Sequence, residues 1–317
     1  DYVTFVDSDD IIPNGSYKMM MNTILQTESD FIIGNVVRFN STKEFPSVLH
    51  KKVFSENKLK THITESPELL YDTTAWNKIY KVSFWEEHKF QFPEAMLYED
   101  IPVTIPAHFK AKSVDVLTSI VYKWRARDAG DQSITQQRTD INNLTDRLKA
   151  LGMVDQHFSE NNIDGLVKEE KDYKYLSIDL LVYLNQLDKA DDEYINTYLK
   201  NVSEYLENVD MSVFKKLKVI DRLKYQLVKN NEKQELLQLL EFQKTELKNS
   251  RPIKKGNVYV ADYPYIEKLP MELRVLEEEF EAINKVESVS WDGNCLEVKG
   301  YAYIKNLSVK KKSDAEI

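Results

Sequence analysis

The stretch Tyr2–Pro13 has the sequence YVTFVDSDDIIP and is the starting point for predicting the fold. It opens on β-branched and aromatic residues without a polar lead-in, which is typical of a central strand in a parallel sheet. Parallel neighbours are reached through crossovers of about a dozen residues or more, and the sequence has no room for them before residue 1. We therefore expect a chain that lacks the N-terminal βαβ part of its domain. The alternative is an edge strand that opens a complete domain.

Three carboxylates follow at the end of this strand, Asp7, Asp9 and Asp10. Open α/β sheets bind their ligands at the carboxyl ends of strands. Clustered carboxylates repel one another, and a divalent cation, which prefers oxygen ligands, would relieve that repulsion. The pattern therefore favours a metal site. A turn whose Asp caps a helix over residues 16–26 is the structural alternative.

A second group of blocks follows along the chain. A W-N-K block at Trp76–Lys78 and an F-Q-F-P block at Phe90–Pro93 precede the Y-E-D block Tyr98–Asp100. Because Ile101-Pro102 suits the first turn of a helix, Asp100 is a candidate N-cap. Two interpretations stay open for Trp76, a core aromatic residue and a wall of a substrate pocket.

A third group is basic and lies within residues 121–138. Its cations are Lys123, Arg125, Arg127 and Arg138. The planar fork of arginine matches the oxygens of a diphosphate or of a phosphate-rich polymer. The segment after Trp124 is rich in Gly, Asp and Ser, which indicates either a mobile lid or a solvated surface loop.

These blocks, in this order, resemble family 2 glycosyltransferases of the GT-A fold. Val6–Asp10 resembles the DxD region of that family, and the W-N-K, F-P and Y-E-D blocks follow as they do there. The resemblance covers roughly the first 140 residues well. The WRAR sequence of Trp124–Arg127, followed by Ser133-Ile134-Thr135, is most like the polyribitol-phosphate β-N-acetylglucosaminyltransferases that modify wall teichoic acid.

The resemblance implies roles for individual residues. Mn²⁺ or Mg²⁺ would be held by Asp9, with Asp7 as a second ligand or a ribose contact. Asp100 would be the base that takes a proton from the acceptor hydroxyl. The cofactor- and substrate-binding residues so implied are Asp7, Asp9, Trp76, Arg125 and Arg127.

The implied activity is a metal-dependent, inverting transfer of a sugar to a hydroxyl of a cell-wall polymer. The implied donor is UDP-GlcNAc and the implied acceptor an anionic polymer such as wall teichoic acid. Two alternatives remain: a non-catalytic scaffold or polymer-binding module that keeps the fold, and the transferase part of a bifunctional enzyme with a glycerophosphotransferase domain. Without its upstream segment, the chain by itself is expected to be inactive.

The amino-acid composition excludes several classes of protein. The 317 residues are 42% apolar and carry a net charge of −9, so we expect a globular protein that does not bind nucleic acid. Cys295 is the only cysteine, which excludes internal disulfides and indicates a cytoplasmic setting. No stretch reads as a membrane span, so we expect at most peripheral association with the inner face of the membrane.

The second half changes character. The predicted fold class is α/β, a partial Rossmann-like GT-A domain over residues 1–139, followed by an α-helical linker domain over residues 140–250. Apolar residues recur there at helical spacing, from Ile195 to Val209 for example. Residues 251–317 contain a hairpin signature around Asp292-Gly293-Asn294 and are predicted to begin a β-sandwich. The resemblance implies that the protein forms homo-oligomers through further C-terminal domains.

Overall fold

The computed structural model describes residues 1–128, 137–276, 279–305 and 307. The lid predicted after Trp124 falls largely on residues 129–136, which lie outside these ranges. The chain forms two compact units, residues 1–198 and 199–317. The predicted boundary at residue 140 therefore does not coincide with the boundary between the units, and the three-domain division stays a prediction.

The first unit is built on a six-stranded mixed sheet with the order β1-β5-β2-β6-β4, in which β3 also pairs with β2. Strands β2 and β6 are parallel, and the other pairs are antiparallel. The strands are β1 (Tyr2–Val3), β2 (Phe31–Phe39), β3 (Glu44–Pro46), β4 (Lys58–Thr61), β5 (Lys78–Lys81) and β6 (Val114–Arg125). The helices that accompany them are α1 (Ser16–Thr27), α2 (Val82–Glu87) and α3 (Ile101–Lys110).

Strand β1 differs from the prediction. It was expected in the centre of a parallel sheet, but it lies at the edge and pairs antiparallel with β5, Tyr2 opposite Lys81. It is short because the chain leaves the strand ladder at Thr4, whose Oγ1 donates to the Lys78 carbonyl at 2.7 Å. The capping alternative for the acidic run is also wrong: the N-cap of α1 is Gly15, at φ +81°.

The centre of the sheet is buried on both faces. Alternate residues of β2 point to opposite sides, Ile32 to the core beneath α1 and Phe31 to the other core. Where β2 and β6 meet there is no space for a side chain at Gly34, because a Cβ there would lie 2.3 Å from Cγ1 of Val121. Strands β2 and β6 are therefore closely packed at this point.

Helices fill the predicted region from residue 140 onward. In the first unit these are α4 (Ile141–Glu160), α5 (Gly165–Lys174), a π-helical turn (Tyr175–Asp179) and α6 (Leu181–Leu184); α7 (Asp192–Leu206) crosses the boundary between the units. Helix α4 is capped by Asp140, whose side chain accepts from the Asn143 amide at 2.9 Å. The helical character predicted for this region is confirmed.

In the part of it that the structure describes, the second unit continues with three α-helices and two small sheets. Its elements are α8 (Met211–Lys216), α9 (Val219–Lys229), α10 (Lys233–Thr245), β7 (Ile253–Lys255), β8 (Val258–Val260), β9 (Ala282–Asp292) and β10 (Cys295–Ile304). The predicted hairpin is β9–β10, with Gly293 at φ +56° in its turn. A full β-sandwich stays a prediction. Within the described ranges, no helix is both long and apolar enough to span a bilayer.

Candidate active site

A cavity of about 750 Å³ opens in the first unit. Its walls come from the loop after β1, the segment before β5, the segment before α3, the end of β6 and helix α4. The residues predicted for the site all line it: Asp7, Asp9, Trp76, Asp100, Arg125 and Arg127. The structure thus brings together residues that are far apart in the sequence.

The acidic loop is fastened to β6. The backbones of Ile11 and Lys123 exchange two hydrogen bonds, of 3.1 and 2.8 Å, and the Arg125 amide donates to Asp10 Oδ1 at 2.7 Å. The Arg125 side chain also donates from Nε to the Asp9 carbonyl at 2.6 Å. Because these contacts hold Asp10 against the strand, its two neighbours Asp7 and Asp9 are presented at the cavity.

Like charges crowd this wall. Partial burial raises the pKa of Asp7, and the carboxylates of Asp10, Asp9 and Glu99 raise it further. Arg127 opposes them directly, since its Nη2 donates to Asp9 Oδ2 at 3.0 Å. The wall is therefore a place where a further positive charge is stabilised.

The carboxylates of the cavity fit a metal site that is completed by substrate phosphates, but not a site made of protein side chains alone. The described ranges contain no group of three or more His, Cys, Asp or Glu side chains arranged to hold a metal ion. Mg²⁺, however, is commonly held by one or two carboxylates together with phosphate oxygens of a substrate. Asp7 and Asp9 match that pattern, with oxygen donors and mutual repulsion that a cation would relieve.

Asp100 occupies the N-cap position of α3, but its side chain makes no capping hydrogen bond. Its carboxyl instead belongs to the cavity wall. Burial, and next the charge of Glu99, raise the pKa of Asp100 to about 7, while Arg147 and Lys78 oppose the shift. A carboxyl with a pKa near neutrality can both hold and accept a proton under ordinary conditions.

Trp76 is both buried in the core and part of the cavity wall. It is 7% exposed and stacks on Tyr122, with ring centroids 4.1 Å apart, and its ring lies 5.5 Å from that of Trp124. It is therefore a core aromatic residue that also forms part of the cavity wall. A role in binding a sugar stays a prediction.

The other two residues of the W-N-K block, Asn77 and Lys78, form hydrogen bonds to the buried side chain of Asp72. Lys78 Nζ donates to Asp72 Oδ2 at 2.5 Å, and Asn77 Nδ2 donates to Asp72 Oδ1 at 2.8 Å and to the Gly34 carbonyl at 3.0 Å. Asp72 and Lys78 are fully buried. Burial acts to raise the pKa of Asp72, but Lys78, His108 and His50 outweigh it and hold that pKa well below its usual range.

Sequence reasoning missed three functional candidates. Asp72 forms the buried ion pair with Lys78, and nothing in the sequence around it, apart from its spacing from Lys78, indicates that pair. Tyr98 was quoted only as part of a block, yet it lines the cavity and has φ +62°. Arg147 also lines the cavity, from a helical region in which the sequence indicated no chemistry, because a lone arginine on an amphipathic helix has no distinguishing pattern.

No protein-family model matches the chain. In sequence it is 26% identical over 134 residues to glycosyltransferase GlyA of Streptococcus pneumoniae, covering 40% of this chain and 19% of that protein. It is 28% identical over 129 residues to EpsH of Bacillus subtilis, also named as a glycosyltransferase, covering 39% and 37%. It is 26% identical over 132 residues to a poly(ribitol-phosphate) beta-glucosyltransferase of Bacillus spizizenii, covering 41% and 20%. The chain thus spans about a fifth to two fifths of these relatives.

Solved structures show the same relationship in the fold. Residues 1–349 of S. aureus TarS in complex with UDP superpose with a TM-score of 0.61 at 16% identity, covering 85% of this chain and 75% of that one. The same protein in complex with UDP-GlcNAc gives a TM-score of 0.58 at 16% identity, covering 83% and 73%. Sequence and fold together confirm the predicted resemblance: the chain is similar in sequence to glycosyltransferases, a poly(ribitol-phosphate) transferase among them, and similar in fold to TarS.

Proposed function

We propose that the protein transfers a sugar from a nucleotide-sugar donor, UDP-GlcNAc, to a hydroxyl of an anionic cell-wall polymer such as wall teichoic acid. One observation carries the proposal: Asp7, Asp9 and Asp100 line the same cavity. Arg125 and Arg127 line it as well, beside the Asp7–Asp9 pair. The donor is supported by the fold shared with a protein solved with UDP and UDP-GlcNAc. The acceptor is supported by the poly(ribitol-phosphate) transferase among the relatives.

Asp100 would act as the base. Its carboxylate takes the proton of the acceptor hydroxyl as that oxygen bonds to the anomeric carbon. The bond from the anomeric carbon to the diphosphate oxygen breaks, and its electron pair leaves with the diphosphate. Attack from the face opposite the leaving group inverts the anomeric configuration.

Asp7 and Asp9 would hold the divalent cation, Mn²⁺ or Mg²⁺. When bound, such an ion neutralises the charge of the departing diphosphate. Arg125 and Arg127 would add charge-assisted hydrogen bonds to phosphate oxygens. The flat face of Trp76 would border the sugar. A cytoplasmic reaction, at or near the inner face of the membrane, agrees with the single cysteine.

The test uses the full-length protein that carries this sequence. Transfer from UDP-GlcNAc to poly(ribitol phosphate) is measured with Mn²⁺ or Mg²⁺ and after chelation, for Asp9→Asn and Asp100→Asn. We expect each variant to lose about a hundredfold or more, because a general base typically contributes 10²–10⁴-fold. Asp164→Asn, an exposed change at the start of α5, is the matched control.

Each part of the proposal can fail separately. Unchanged activity in one variant removes that residue from the mechanism, and full activity after chelation removes the metal. UDP-glucose is tested beside UDP-GlcNAc, because one relative is named a glucosyltransferase. An NMR assignment of the anomeric configuration of the product decides between inversion and retention. Absence of transfer from any nucleotide sugar would favour the scaffold alternative.

A further inference from the structure

Helix α4 holds the loop that carries Asp100, and we infer that Arg147 on this helix is a positioning residue that keeps Asp100 ready to accept a proton. The inference rests on the proposed function, since it takes Asp100 as the base. It assigns a role in the reaction to a helical region that the sequence indicated to be only a linker.

Three residues on one face of α4 contact the loop. Asp146 Oδ2 accepts from the Leu97 amide at 2.9 Å, and Asn143 Oδ1 accepts from the Tyr98 hydroxyl at 2.8 Å. The Arg147 guanidinium lies over the Tyr98 ring, 4.4 Å from its centroid. Side chains three and four positions apart share a helix face, so these contacts act on the loop together.

The loop needs this support because its backbone is strained. Tyr98 has φ +62°, a region that bulky residues rarely occupy. Such a conformation is energetically costly and persists only where the surroundings enforce it. The Tyr183 hydroxyl adds to the enforcement, because it lies within hydrogen-bonding distance of both the Tyr98 hydroxyl, at 2.9 Å, and Asn143 Oδ1, at 2.8 Å. The direction of the chain into Asp100 is thus set from α4.

Arg147 is itself held in place by ion pairs. Its Nη2 donates to Asp179 Oδ1 at 3.0 Å, and Lys174 Nζ donates to Asp179 Oδ2 at 2.6 Å. The Arg147 side chain is 16% exposed, and it lines the same cavity as Asp100. In the described structure it makes no ion pair with Asp100, so its effect on that carboxyl acts through space.

The charges around Asp100 can be ranked. Burial raises its pKa most, Glu99 raises it next, and Arg147 followed by Lys78 lowers it. The Asp100 charge is also felt by Lys174 and by the Tyr80 hydroxyl. Arg147 is thus the strongest cationic influence on the carboxyl, and it keeps a larger share of Asp100 ionised at neutral pH.

A first test needs no turnover. The Asp100 carboxyl is titrated by ¹³C NMR in the 317-residue chain, with its resonance assigned by its loss in Asp100→Asn. Arg147→Gln is expected to raise the midpoint by about 0.5–1 pH unit, less than the 1–3 units typical of an arginine in direct contact. Arg147→Lys, which keeps the charge, should restore most of the original midpoint. Lys149→Gln, exposed on the same helix, is the control. An unmoved midpoint in Arg147→Gln overturns the inference.

A second test uses the pH profile of kcat/KM in the full-length protein. The acidic limb should move to higher pH in Arg147→Gln by the same amount as the NMR midpoint. Simple structural damage would lower the rate at every pH and leave the limb in place, and that result also overturns the inference. If Asp100→Asn keeps its activity, the proposed base is wrong, whereas the NMR titration still judges the effect of Arg147.

A second variant keeps the test decisive if Arg147→Gln fails to fold. Removing the Arg147 charge leaves buried Asp179 with Lys174 as its partner. If Arg147→Gln does not fold, Arg147→Met, which removes the charge but keeps an apolar side chain beside the Tyr98 ring, is carried through the same titration. A raised Asp100 midpoint in Arg147→Met supports the inference, and an unchanged midpoint contradicts it.

Discussion

The Asp9 carboxylate accepts a hydrogen bond from Arg127 Nη2 at 3.0 Å, and this contact joins the loop after β1 to the segment after β6. Both side chains are nearly half exposed, 42% for Asp9 and 45% for Arg127. Exposed ion pairs contribute little to stability. The position of the pair on the cavity therefore matters more for the ligand than for the fold.

Arg127→Gln should separate these two effects. We expect the melting temperature to stay nearly unchanged, because an exposed pair contributes only about 0–1 kcal/mol. The dissociation constant for UDP with Mg²⁺ should rise about tenfold or more, since hydrogen bonds to charged groups contribute about 1.5–3 kcal/mol. Calorimetric titration measures the affinity. Arg251→Gln, an exposed change in the second unit, is the control, and equal UDP affinity in both variants would contradict the phosphate contact.

Asp100→Asn should make the protein more stable at high pH. The folded pKa of Asp100 is raised to about 7 from 3.8, so the folded state binds the proton more tightly than the unfolded state does. The stability of the unmodified protein therefore falls as the pH rises through this window, by on the order of 1–4 kcal/mol, and stays low above it.

Denaturant unfolding of both forms at about pH 4.5 and about pH 8 checks this difference. The advantage of Asp100→Asn should be large at the higher pH and small at the lower one. Glu99→Gln should gain less, because Glu99 is exposed. An equal advantage at both pH values would mean that the carboxyl is not destabilised by its burial.

Asp72→Asn should strongly destabilise the first unit. The change leaves the Lys78 ammonium fully buried without its ion-pair partner, and breaking a buried pair from one side typically costs about 3–5 kcal/mol. The double variant Asp72→Asn/Lys78→Met removes both charges and should recover much of the loss. Chemical denaturation of the three proteins measures the two effects. A single variant as stable as the parent would show that Lys78 is satisfied by its bonds to the Thr74 carbonyl and to Asn77.

Acid should weaken the fold through His50. Burial lowers the pKa of this histidine to about 4, below its unfolded value of 6.5. The neutral ring is held between Ser47 Oγ at 2.8 Å and Thr74 Oγ1 at 3.3 Å. Stability that is present above about pH 6.5 should be lost as the pH falls toward about 4, by on the order of 3 kcal/mol. Unfolding curves of His50→Gln should lose this part of the pH dependence, while His62→Gln, which changes a partly exposed histidine, should keep it.

Much of the site could be predicted because its residues lie in short blocks at the ends of strands. The acidic run after β1 and the E-D pair before α3 both stand out in the sequence, and chain topology then brings them to one cavity. The predicted helices after residue 140 were recognisable from apolar spacing, as in α7. Local pattern was sufficient wherever contiguous residues line the cavity.

The rest could not be predicted, for two physical reasons. Strand direction depends on partners that the local sequence does not encode, so β1 was expected to be parallel and central although it pairs antiparallel with β5. Long-range contacts give no local signal either. Arg147 is one of many cations on amphipathic helices, and only the packing of α4 against the 97–100 loop distinguishes it. The buried Asp72–Lys78 pair was missed for the same reason.

Gly34 has a consequence for the evolution of this fold. Since any Cβ there would collide with the Val121 side chain, position 34 cannot gain a side chain while position 121 keeps its valine. Among homologous sequences, a larger residue at position 34 should appear only together with a smaller one at position 121. Covariation between these two columns would therefore trace the crossing of β2 and β6 through the lineage, independently of any change in the sugar or the acceptor.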